Sequence, residues 1–115
     1  MTDVLAGVMT PMILGVVLIV IGIVNMTGNI SSIHSYHRKC VTEENRKPFG
    51  KKVGLGNLII GVGVIVLSVM MYLADRFEND LFMLLGTMVV FIAVAVGLII
   101  SLSAIKKYNG GIFKF

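Results

Sequence analysis

Three long stretches of the chain contain no Asp, Glu, Lys, Arg or His: Val4 to Ile33, Val53 to Ala74 and Leu81 to Ile105. They are about 30, 22 and 25 residues long, and a helix needs about 20 apolar residues to cross the hydrocarbon of a bilayer. The pattern predicts an all-α integral membrane protein, a single transmembrane domain over residues 1–115. Its three transmembrane helices fall at about 10–30, 53–74 and 81–105, with a cytoplasmic loop over 31–52. Many span residues are β-branched, Val16, Val17, Ile19, Val20 and Ile21 among them. A barrel strand would alternate in polarity over about 9–11 residues, and these runs do not alternate.

The first run exceeds one membrane thickness. Thr10 as N-cap and Pro11 at the first helical position offer a sharp start, which leaves residues 1–9 as an interfacial lead-in. The alternative is a helix from Val4 to near Met26, kinked at Pro11. The run lacks the basic leader and small-residue cleavage site of a signal peptide.

Composition agrees with the spans. Of 115 residues, 57% are hydrophobic and 14% charged, against about 45–50% and 25% in soluble domains, and mean hydropathy is +0.95. The net charge of +4 would invite a nucleic-acid reading in a soluble protein. Here the basic residues flank apolar runs, so anionic lipid headgroups are the expected partner and nucleic acid is not. Loop one carries Arg38, Lys39, Arg46, Lys47, Lys51 and Lys52 against Glu43 and Glu44. Loop two holds Asp75, Arg76, Glu78 and Asp80, and the C-terminal tail Lys106, Lys107 and Lys114. The positive-inside rule places loop one and the C-terminus in the cytoplasm and the N-terminus outside, in the cell membrane. Thr42, followed by two acids, reads as the start of a short cytoplasmic helix in loop one, disturbed near Pro48-Phe49-Gly50.

Small residues recur at helical spacing. In the second span Gly54, Gly61 and Ser68 form one row and Gly56 and Gly63 another, two residues away and on a different face. Gly15 and Gly22 mark the first span, and Ala93, Gly97 and Ser101 the third, with Ala104 following. Small residues let helices approach closely in lipid. The rows serve either the packing of the three helices or a homo-oligomer.

No Asp or Glu lies within a span, which argues against proton-coupled transport. Asn25 and Asn57 are the notable intramembrane polar residues, placed to hydrogen-bond each other or to line a permeation path. His34, His37 and Cys40 sit at i, i+3 and i+6. They are weak metal candidates, because the spacing is not a common zinc pattern and no fourth ligand is evident. Catalytic residues and cofactor-binding patterns are not expected, and the single cysteine forms no internal disulfide.

The stretch Ile33-His34-Ser35-Tyr36-His37, then Val41-Thr42-Glu43-Glu44 and Phe49 to Gly54, resembles a pattern in a family of small bacterial multi-spanning membrane proteins of unknown function. The resemblance covers about residues 20–65 and implies a cytoplasmic-membrane protein of three or four helices, without an activity. Two functions are expected. One is a non-enzymatic component that self-associates or joins a larger membrane partner through its basic loop. The other is a homo-oligomeric channel or facilitator for a small solute or ion.

Overall fold

The computed structural model describes residues 2–30, 33 and 41–110. Among them are three helices, α1 (Thr2–Met26), α2 (Arg46–Arg76) and α3 (Leu81–Tyr108). Each is long and apolar enough to cross a membrane. The chain is an all-α, multi-pass membrane protein with the three spans its hydropathy predicts.

The helix ends differ from the expected bounds. α1 does not begin at Thr10: it starts eight residues earlier, runs through Pro11 and ends at Met26. Instead of capping, the Thr10 hydroxyl donates back to the carbonyl of Ala6 at 3.0 Å. Pro11 removes one rung of the ladder without ending it, which is the alternative the long uncharged run allowed. α2 starts seven residues before Val53. Pro48 occupies the third helical position, where a backbone N–H has no partner within the helix to lose. The first regular bond, from Phe49 N to Asn45 O at 2.9 Å, forms directly after it. Thr42 therefore heads a turn rather than the helix, accepting from Asn45 N at its carbonyl (3.1 Å) and its hydroxyl (3.3 Å).

Between α2 and α3 the chain reverses in four residues. Asn79 N donates to Ala74 O at 3.0 Å and Glu78 N to Asp75 O at 3.3 Å. This is the paired closure of a helix that ends through a left-handed residue. Glu78 takes that role, at φ 51°. Asn79 then accepts from Leu81 N through its side chain (3.0 Å), starting α3.

α2 is the centre of the fold. α1 packs against one of its faces and α3 against another, both antiparallel, and no Cα of α1 comes within 8 Å of one on α3. Accordingly, 39% of the apolar stretch of α2 is buried, against 17% for each neighbour. The helices form an open V with α2 at the vertex, 51 Å long. Apart from Arg76, the bases of α2 and α3 (Arg46, Lys47, Lys51, Lys52, Lys106 and Lys107) lie at one end. Asp75, Glu78 and Asp80 lie at the other.

Candidate functional site

The two glycine rows of α2 are both used within the chain. Gly54 and Gly61 face α1. A Cβ on Gly22 would lie 2.6 Å from Gly54 O, and one on Gly61 would lie 2.8 Å from Gly15 O. Gly56 and Gly63 face α3, where a Cβ would run into Ser101 and Ala93 respectively; one on Gly97 would lie 2.7 Å from Gly56 O. Ser68 continues the first row by spacing and is fully buried. The packing residues read from the sequence are thus assigned to neighbours, and every glycine among them has an intramolecular reason to be small.

Asn25 and Asn57 meet. Asn57 Nδ2 donates to Asn25 Oδ1 at 3.1 Å, and Asn25 Nδ2 donates to Asn29 O at 2.9 Å. Asn25 is fully buried. Buried amides in apolar surroundings require such partners, and this pair ties α1 to α2 at the penultimate residue of α1. Replacing Asn57 by Leu removes this bond to a buried amide and is expected to cost about 1–2 kcal/mol. The double variant Asn25→Leu/Asn57→Leu should cost less than the sum of the singles, by about 0.6–1.7 kcal/mol. Unfolding titrations in mixed micelles measure this coupling, and strict additivity would show that the bond contributes nothing.

At the basic end the arms of the V are joined by a small core. Phe49 is wholly buried, together with Ile30, Val53, Ala104 and Ile105, and its ring meets Tyr108 edge-on at 6.2 Å between centroids. Ile33 and Val41, which bracket residues 34–40, both pack on this cluster. Sequence reading missed Phe49, taking it for part of a disturbed segment. The signal was present, because Phe49, Val53, Gly56 and Ile60 continue the helical period of α2 backwards through Pro48.

Around this core Arg46, Lys47, Lys51, Lys52, Lys106 and Lys107 are exposed. Arg46 pairs with Glu43 at 3.3 Å. That pair is solvent-facing and contributes little to stability, so the end remains strongly positive. His34, His37, Cys40, Arg38 and Lys39 lie outside the described residues. Among the described residues no three His, Cys, Asp or Glu side chains converge as metal ligands would. No family model, curated protein or solved structure matches the chain.

Proposed function

We propose that this chain is a small non-enzymatic protein of the bacterial cell membrane, an accessory or assembling subunit that acts through its basic, cytoplasmic end. One observation carries the reading: Ile33 and Val41 are both seated on the Phe49 core. The connecting segment with His34, His37, Arg38, Lys39 and Cys40 therefore leaves and returns at one packed platform, shared by α2 and α3. A segment pinned at both ends loses less conformational freedom on binding than a free one, and its charge suits an acidic partner surface or anionic headgroups. The excess of Lys and Arg at this end supports a cytoplasmic orientation for it, with the N-terminus outside.

A homo-oligomeric channel for a small solute or ion draws less support. Its motives were the tandem glycine rows and the two amides. The rows are occupied by α1 and α3, and the amides bond each other.

Replacing residues 34–40 by a Gly-Ser segment of equal length tests the proposal. The expected result is a fully folded chain in micelles that no longer forms the membrane complex, self-assembled or mixed, that the intact chain forms after gentle extraction. An unchanged complex, read by native mass spectrometry, sinks it.

A further inference from the structure

The concave side of the V holds a groove near the basic end, of about 280 Å³. All three helices line it, through Ile21 of α1, Val53, Asn57 and Ile60 of α2, and Leu98 and Ser101 of α3. Its walls are apolar except at Asn57 and Ser101. One N–H of Asn57 is committed to Asn25. The other N–H and the Oδ1 carry no hydrogen bond, nor does the Ser101 hydroxyl. An amide held in one orientation by a buried neighbour, beside an idle hydroxyl in an apolar groove, is an incomplete polar site, since such groups are costly in hydrocarbon without partners.

The depth of this pair is informative. Asn57 follows Lys52 by five residues and Ser101 precedes Lys106 by five, so each lies about 7.5 Å inward from a basic residue along its helix. The headgroup layer is about 5–7 Å thick on each side of the bilayer. With the lysines at its outer edge, Asn57 and Ser101 sit where headgroup gives way to hydrocarbon. That is the level of the ester carbonyls of a glycerophospholipid, which accept hydrogen bonds and donate none. The groove is small, at about 280 Å³, and its walls are mostly aliphatic side chains. It suits a single extended hydrocarbon chain.

We infer that this groove binds one anionic glycerophospholipid. An acyl chain lies between α1 and α3 along Ile21, Ile60 and Leu98. Its ester carbonyl accepts hydrogen bonds from the free Asn57 N–H and the Ser101 hydroxyl, and its phosphate meets the lysines of the basic end. The lipid completes the contact between α1 and α3 that the protein itself does not make. This inference is independent of the loop proposed as the interaction surface.

The test uses the full chain in nanodiscs containing phosphatidylglycerol with a photoreactive diazirine in its acyl chain, and a parallel set with the phosphatidylcholine analogue. Peptide mapping locates the adducts. Labelling is expected to concentrate on Ile60, Leu98 and Ile21, with phosphatidylglycerol several-fold above phosphatidylcholine. Ser101→Ala, which leaves the fold intact, lowers groove labelling about three- to tenfold by removing one donor in apolar surroundings. Leu98→Trp, at a side chain already half exposed, fills the groove and abolishes labelling there. Adducts spread evenly over the lipid-facing residues of α1, such as Ile13 and Val20, would overturn the inference. So would equal labelling by phosphatidylcholine, or indifference to both substitutions. Disulfide-linked dimers formed by Leu98→Cys in a Cys40→Ser background, in place of lipid adducts, would assign the groove to a second copy of the chain and overturn it equally.

Discussion

Phe49→Ala is expected to cost about 3–5 kcal/mol, the range for removing a large buried aromatic side chain. The location makes this the largest single effect in the molecule. Within the spans a protein–lipid contact replaces a protein–protein contact of similar polarity, so truncating an apolar side chain there forfeits packing but little hydrophobic stabilisation. Phe49 instead lies between Arg46 and Lys51, at the level where charged side chains and water gather, and it is wholly buried. Its removal opens the joint between Ile30, four residues beyond α1, the first turn of α2 and Tyr108 of α3. Phe49→Leu keeps much of the volume and should cost less than about 1.5 kcal/mol. Unfolding of the full chain by SDS in mixed micelles distinguishes the two. Equal, small losses for both variants would mean that the basic end is not a core.

Gly54→Ala ranks second, at about 3 kcal/mol, the upper part of the range for overpacking. A methyl group there collides with the Gly22 carbonyl, lies 2.9 Å from Met26 N and 2.6 Å from Met26 Cγ. Two of these three atoms are backbone, which cannot rotate away as a side chain can, so α1 must move off α2. Gly7→Ala is the matched control on the same interface. Its nearest neighbour is the flexible end of Met71, at 3.9 Å, and it should be neutral or slightly stabilising, as alanine for glycine is in an open helix position. Comparable losses at both positions would show that helix propensity, rather than close approach, governs the glycines.

Much of this arrangement was legible in advance. The spans follow from length and hydropathy alone, because a bilayer tolerates only long apolar helices or closed barrels. The basic and acidic ends of the bundle follow from where the charges lie along the chain. The two rows on α2 follow from the helical period, and the proximity of Asn25 to Asn57 from the antiparallel order of the first two spans. The helix ends were harder to place. Pro11 carries the same local signal in a first turn as in an interior that tolerates it, and only the nine preceding helical residues decide between them. Pro48 posed the opposite problem, since a proline that appeared to disturb the chain stands where its missing N–H costs nothing.

The residue order by itself determined that this is a three-span membrane protein with a basic and an acidic end, and which side chains along each helix are small enough for close approach. Which neighbour each glycine row meets was decided only in three dimensions. In hydrocarbon no solvent drives helices together, and partners are selected by how closely two particular surfaces fit. A row such as Gly56 and Gly63 suits a second chain as well as α3 until the turn at Glu78 brings Ala93 and Gly97 into register against it. The tertiary structure also set α1 and α3 on separate faces of α2. That separation buries Phe49 between their ends and leaves Asn57 and Ser101 with hydrogen-bonding capacity that the chain does not itself satisfy.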